Sequence, residues 1–241
     1  MNKTKAYIRF AFSLFLLCSC KKEVPSIVPL AALNLINVTV NLGTVKANYT
    51  NTATKGAGYQ FYSQITTSVG YGANFIYGVL ANTTVPLTVA PMTDTLAPAY
   101  SGTLNLVNGA SYSLYLAGTL GSVDALLLRD TIVNYVDSSC GVRVINLSYN
   151  SNPIVITEPN TPTVDDFSNL GYKQISSFKT YPAGATNTSY VFQVRDAGTN
   201  AILGTYTLTS PIFHSVTLAW IGQTGGAGNN APQIMRINNY Y

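Results

Sequence analysis

Charge is the scarcest thing in this chain of 241 residues, where Asp, Glu, Lys and Arg together make up 9%. Histidine occurs once, at His214, and cysteine at positions 18, 20 and 140 only. A single histidine excludes a multi-histidine metal centre and leaves imidazole chemistry to one residue. Long apolar runs are missing as well. The most apolar stretch, 10–17, is less than half of the roughly 20 residues a membrane-crossing helix needs. No long segment repeats its apolar residues at helical spacing.

What is present begins with an address. Lys3, Lys5 and Arg9 precede the apolar run, which closes on Cys18, Ser19 and Cys20 and is followed by Lys21, Lys22 and Glu23. That order is the order of a signal peptide. Leu17-Cys18-Ser19-Cys20 resembles the bacterial lipobox, with Cys18 where Ala, Ser or Thr is usual. The resemblance implies cleavage before Cys20 and acylation of its sulfur, with several acyl chains to hold the protein on a membrane. We therefore read 1–19 as a signal peptide and 20–29 as the lipidated cysteine and tether. Lys21, standing where an Asp would retain such a protein at the inner membrane, favours the outer membrane, on its periplasmic or cell-surface face.

Three of the thirteen basic residues leave with the signal peptide, so ten face nine acidic ones. No basic footprint for nucleic acid remains. Cys140 becomes the sole free thiol and no intrachain disulfide can form. Its neighbours Ser138, Ser139 and Gly141 offer no activating base, which makes it a structural cysteine.

The rest of the chain reads as short strands broken by Gly, Asn and Pro, the pattern of sandwiches or barrels. Strands are expected over 31–38, 45–49, 60–66, 73–80, 85–90, 102–107, 111–118 and 123–130. In the second half they are expected over 142–148, 153–157, 171–179, 189–195, 202–209, 213–222 and 232–238. The halves echo one another. Leu33-Asn34-Leu35-Ile36-Asn37-Val38 matches Val142-Arg143-Val144-Ile145-Asn146-Leu147, and Gly58-Tyr59-Gln60 matches Gly171-Tyr172-Lys173. Tyr112-Ser113-Leu114-Tyr115-Leu116-Ala117 matches His214-Ser215-Val216-Thr217-Leu218-Ala219, and Leu128-Arg129 matches Met235-Arg236. A repeat about 100 residues long is that of a whole sandwich domain. The expected organisation is all-β, with tandem β-sandwiches at 30–137 and 138–241, each folding by itself, and an insertion at 82–101 in the first.

The Leu/Val-Ile-Asn opening of each half, the later Gly-Tyr, the Tyr112-to-Gly118 strand and the closing Leu126-Leu127-Leu128-Arg129-Asp130 resemble the domain of unknown function 4397 family. Tandem copies of that domain occur in Bacteroidetes lipoproteins. The resemblance covers about residues 30 to 241. It implies a pair of immunoglobulin-like or transthyretin-like β-sandwiches on the cell envelope, and it implies no activity.

Few residues suggest chemistry. His214 falls on the same strand parity as Val216, Leu218 and Trp220 and reads as a framework residue. Asp165 and Asp166, with Glu158 nearby, have oxygen ligands suited to a calcium ion, but the Asp-x-Asp spacing of a calcium loop is absent and a solvated loop is expected. Gly225-Gly226-Ala227-Gly228 lacks the Lys of a phosphate loop and reads as a hairpin tip. Among 17 tyrosines, Tyr71 between Gly70 and Gly72 is expected to be the exposed one and the candidate ligand contact. Asp94-Thr95-Leu96 and Asp130-Thr131-Ile132 resemble the O-glycosylation acceptor triplet of Bacteroidetes, making Thr95 and Thr131 candidate acceptors, with Thr95 preferred as the more accessible.

No cofactor and no catalytic residue is expected. The expected function is non-catalytic, in surface binding or envelope structure, with the membrane as one partner and a glycan or envelope protein as another. A glycan-binding accessory protein of polysaccharide uptake, an adhesin or assembly subunit and, last, a carboxylate-dependent hydrolase stay open beside it.

Overall fold

The computed structural model describes residues 28–49, 67–131, 133 and 135–239. The expected signal peptide, Cys20, the expected strand 60–66 and the Gly58-Tyr59 match lie outside the described residues. The first half contributes β1 (Leu30–Asn37), β2 (Val45–Asn48), β3 (Ala73–Leu80), β4 (Thr84–Pro91), β5 (Tyr100–Asn105), β6 (Ser111–Thr119) and β7 (Ser122–Arg129). The second contributes β8 (Ser139–Asn146), β9 (Ile154–Thr157), β10 (Asp165–Leu170), β11 (Lys179–Pro182), β12 (Ser189–Asp196), β13 (Ile202–Thr209), β14 (Ser215–Ile221) and β15 (Gln233–Asn238). A 3-10 turn at Gly228–Asn230 is the only helical element among the described residues, and no helix there is long and apolar enough to cross a membrane.

The strands form four sheets. Sheet β3-β1-β6-β7 packs on β2-β4-β5, and sheet β11-β8-β14-β15 packs on β10-β9-β12-β13. The protein is all-β and built of β-sandwiches. Leu33, Leu35, Leu87, Val89, Leu114 and Leu116 fill the first sandwich. Val142, Val144, Ile156, Phe192, Leu218 and Trp220 fill the second.

A third core joins the two. Ile36, Val38, Tyr115 and Ala117 from the first half cluster with Ile145, Leu147, Ala219, Ile221, Met235 and Ile237 from the second. The central strands β1, β6, β8 and β14 are therefore covered on both faces. Alternate residues of each point into their own sandwich, and the remainder point into the shared core. Every residue of β8 and of β14 is buried. A large side chain in that core contributes roughly 1.5–3 kcal/mol by leaving water. Parting the sandwiches would forfeit a sum comparable to the net stability of a whole domain, about 5–15 kcal/mol.

The repeat is real, but its register differs from the sequence match. β1 pairs in parallel with β6, Leu33 opposite Tyr112, and β8 pairs in parallel with β14, Val142 opposite Val216. Tyr112 therefore corresponds to Val216, and His214 is not its counterpart. His214 lies exposed just before β14, and does not sit on the buried face of a strand. Leu128 opposite Ser113 corresponds in the same way to Ile237 opposite Thr217. Nor is 82–101 an insertion, since it holds β4 and the start of β5, which pair with each other as β12 and β13 do.

Two buried asparagines explain the Ile-Asn signature that opens each half. Asn37 Oδ1 accepts the Thr39 amide at 3.3 Å, while its Nδ2 donates to the carbonyls of Gly43 (2.7 Å) and Val69 (3.1 Å). Asn146 Oδ1 accepts the Ser148 amide at 3.1 Å, and its Nδ2 donates to Leu170 O (3.0 Å) and Ser151 Oγ (3.1 Å). Each closes an Asx turn at a strand end and ties a distant loop to it.

The expected strand over 171–179 is replaced by a turn, with β10 before it and β11 after it. Lys173 at φ 64° and Asn169 at φ 53° bend the backbone there. Asp165 and Asp166 consequently open β10, which is bulged at both of its register shifts, and do not sit in a loop. The segment was misread because only Phe167 and Leu170 of β10 face inward, too few for a clear alternation.

Candidate functional site

The shared core has an approximate two-fold character, because equivalent residues of the two halves meet across it. Ile36 and Ile145 are one such pair, and Leu128 and Ile237 another. Polar contacts cross it too. Arg143 of β8 reaches Asp130, past the end of β7, at 2.6 Å, with side chains 8% and 1% exposed. Ser113 Oγ donates to the other oxygen of Asp130 at 2.7 Å, and Arg143 Nε donates to Thr217 Oγ1 at 2.8 Å. Thr217 in turn donates to Asn239 Oδ1 at 2.5 Å, mirroring Ser113 and Asp130 in the other half.

The same symmetry places two tyrosines at equivalent corners. Gly72 donates its amide to Asn37 O, and Lys173 donates its amide to Asn146 O. Gly70-Tyr71-Gly72 is thus the counterpart of Gly171-Tyr172-Lys173, with Gly72 at φ 69° and Lys173 at φ 64°. At one corner Tyr172 donates to Asp124 Oδ2 at 2.8 Å and Lys173 Nζ meets Asp124 Oδ1 at 3.1 Å. The tyrosine hydroxyl first, joined by Lys173, holds the Asp124 carboxyl below its usual pKa against the opposing effect of burial. Tyr172 is pushed up by burial and by the carboxylate it faces.

The other corner is open. Asp124 lies opposite Ala117, and its counterpart opposite Ile221 is Gln233. There Tyr71 packs against the shared core, half-buried. Its hydroxyl is shut from solvent and has no hydrogen-bond partner among the described residues. Burial raises its pKa. Between this tyrosine and β15 lies a cleft of about 370 Å³, lined by Tyr71, Gly72, Ile221, Asn229, Gln233, Ile234, Met235 and Arg236. None of these carries a carboxylate, imidazole or thiol.

The connection between β14 and β15 borders the cleft. β6 and β7 are joined by a tight turn at Leu120 and Gly121, whereas β14 and β15 are joined by the much longer 222–232. Gly118 at φ 82° and Gly222 at φ 92° end the equivalent strands, and a Cβ at either would collide with a backbone carbonyl, Ser122's or Ala231's. The glycine-rich tip is docked across the interface, with Asn230 Nδ2 donating to Asn41 Oδ1 at 2.7 Å. Gln233 Nε2 donates to Asn229 O at 3.1 Å, and Arg236 Nε donates to Asn238 Oδ1 at 2.9 Å, fixing the cleft's polar wall.

Tyr71 is thus brought to a cleft, although it is half-buried and not the exposed residue the flanking glycines suggested. Thr95 is corrected more sharply. It is 2% exposed with its hydroxyl enclosed, so it is not the accessible acceptor. Thr131 is exposed, while the aspartate before it is committed to Arg143. Asp166 is ion-paired with Lys179, Asp165 is exposed, and Glu158 has its pKa raised by partial burial and by Asp166. Among the described residues no three His, Cys, Asp or Glu side chains group as a metal site. Cys140 is buried in the second core, and burial pushes its thiol up. Gln233, Asn229 and Arg236 escaped the sequence reading because the repeat was aligned two residues out of register along β14. The recurring Gly-Tyr pair at 70 and 171 was the available signal.

No family model and no curated protein sequence matches this chain.

Proposed function

We propose that this protein is a lipid-anchored envelope protein of the outer membrane that works by binding, with its ligand seated in the cleft between the sandwiches. The observation that carries the reading is the broken symmetry of the interface. One tyrosine corner is sealed by Asp124 and Lys173, while the equivalent corner leaves a cleft lined by Tyr71, Gln233, Asn229 and Arg236. An aromatic ring beside two amides and a guanidinium suits a polyhydroxylated ligand, because the ring covers C–H faces and the amides pair hydroxyls. A glycan is the class we assign. The two walls come from different halves locked by a common core, so the cleft is preformed and little ordering opposes binding.

The cleft's lining holds no carboxylate, imidazole or thiol, and it is this makeup that leads us to propose binding as its role. Binding of the full chain in detergent to an array of bacterial and host oligosaccharides tests the reading. Retention of defined glycans by the wild type and its loss in Tyr71→Ala is expected; equal retention by the variant would contradict it. The anchor is tested separately with a clickable fatty acid, which should label the wild type and not Cys20→Ala. Glycan attachment at Thr131 should add mass to protein from the native host and not to Thr131→Ala.

A further inference from the structure

The outer face of sheet β3-β1-β6-β7 is covered only in part. Toward the C-terminal end of β1, Ile36 lies in the shared core, but toward its N-terminal end the same face is bare. Leu30 stands opposite Leu80, and Ala32 opposite Gly78. Leu30 is 46% exposed, Ile76 41% and Leu80 49%. Gly78 and Ala32, being small, leave a shallow groove floored by the strands between these side chains. Val28, 55% exposed, and Val107, 49% exposed on the turn before β6, extend the patch at the same end.

No charged residue occurs in 28–45, 67–93 or 95–123, which carry the patch; the nearest charges on the same sheet are Arg129, opposite Tyr112 on β7, and Asp130, which bonds Ser111 and is committed to Arg143. The equivalent place in the second half is treated differently. There Ser139 and Gly141 take the positions of Leu30 and Ala32, and Tyr135 and Ser215 lie against Gly141. The bare patch therefore does not follow from the architecture of the repeat.

The patch surrounds the point at which the chain leaves the N-terminal side of β1. Leu30 lies ten steps along the chain from Cys20, a reach of about 35 Å when fully extended at roughly 3.3–3.6 Å per residue. We infer that this apolar patch rests on the bilayer surface, with Leu30, Ile76 and Leu80 among the lipid headgroups and upper acyl chains. The inference rests on the lipoprotein reading, since only an anchor at Cys20 holds this end close to lipid. Apolar side chains enter the interface favourably when no charge must follow them. The arrangement also orients the molecule. β1 runs from the patch at Leu30 to Asn37 beside Gly72, about 23 Å at roughly 3.3 Å per residue, which lifts the cleft away from the membrane.

The test uses the full acylated chain in phosphatidylcholine–phosphatidylglycerol vesicles, with an environment-sensitive fluorophore on Leu80→Cys or, as a control on the second sandwich, on exposed Leu203→Cys. Cys140 is buried and does not compete for the label. Lipids carrying a nitroxide near the headgroup should quench most of the emission at position 80 and little at position 203. Adding Ile76→Asp to Leu80→Cys should abolish that quenching without changing acylation or melting. Absence of quenching at position 80 in protein shown by mass to be acylated would overturn the inference while leaving the anchor intact. A blue-shifted but unquenched label would assign the patch to a second copy, if it depends on protein concentration, or to this chain's own N-terminal segment, if it does not, and would equally overturn it. Wild-type protein that carries no acyl chain would overturn both readings.

Discussion

Arg143 and Asp130 form a buried ion pair across the interface of the two sandwiches, 2.6 Å apart and closed off by Ser113 and Thr217. Arg143 also lies 4.7 Å from the centre of the Phe178 ring. Such a pair adds little net stability, since both ions lose their hydration, but removing one partner strands the other in the interior. Arg143→Ala should therefore cost about 3–5 kcal/mol in a denaturant titration. Replacing both partners by Met and Leu should recover most of that loss. A double variant as unstable as the single one would mean the pair itself, and not the stranded charge, holds the interface.

The shared core predicts cooperative unfolding. Residues such as Ile36, Tyr115, Ile145 and Ile237 are 0% exposed only because each half covers the other. Differential scanning calorimetry of the full chain should give one transition, with calorimetric and van't Hoff enthalpies in agreement. The second half alone should bind a hydrophobic dye through its uncovered β8 and β14 face. Two well-separated transitions in the full chain would contradict the single cooperative body and restore the independence expected from the repeat.

Two carboxylates give opposite pH signatures. The Asp124 pKa is lowered in the fold, first by the Tyr172 hydroxyl, so its stabilising effect is present above the unfolded pKa of about 4 and is lost as the pH falls through the folded value. Asp124→Asn should lower the melting temperature at neutral pH and have no effect in acid. The Glu158 pKa is raised by burial and by Asp166, so its contribution is full below the unfolded pKa and is lost as the pH rises through the folded one. Glu158→Gln should raise the melting temperature at pH 7, and the gain should vanish below about pH 4. Melting curves across this range check both, and a Glu158→Gln variant less stable at pH 7 than the wild type would refute the second.

Much of the fold was legible because apolar strands bounded by Gly, Asn and Pro declare themselves. The strands at 73–80 and 202–209 fall where they were expected. What the linear pattern hid was the pairing of the halves. A strand with one face in water alternates, yet β6 carries Leu114 and Leu116 on one parity and Tyr115 and Ala117 on the other, all buried. That double burial was written in the sequence as unbroken apolar runs at β6 and β14, and it implies a second covering layer. The site was less legible. Tyr71 drew attention for its flanking glycines, but its surroundings come from Gln233 and Arg236, more than 160 residues away along the chain. Only the register of the parallel pairs brings them together. Thr95 failed as an accessible acceptor because a turn residue can still point inward, here beside an exposed Leu96.

The central claim is that the open tyrosine corner binds the ligand, and the sealed corner supplies its own control. Gly72→Lys with Gln233→Asp copies Lys173 and Asp124 onto the open side, and Gly72 already has the positive φ that Lys173 adopts. The new carboxylate would give the Tyr71 hydroxyl the partner that Tyr172 has, and the lysine would pair with it over the cleft. The direct measurement is glycan-array binding of the full chain, wild type beside this double variant, with melting temperature recorded for both. Our account predicts that the variant still melts cooperatively, any loss from a lysine at positive φ being partly offset by the new ion pair, and loses the glycans the wild type retains. Undiminished binding by a folded double variant would contradict it.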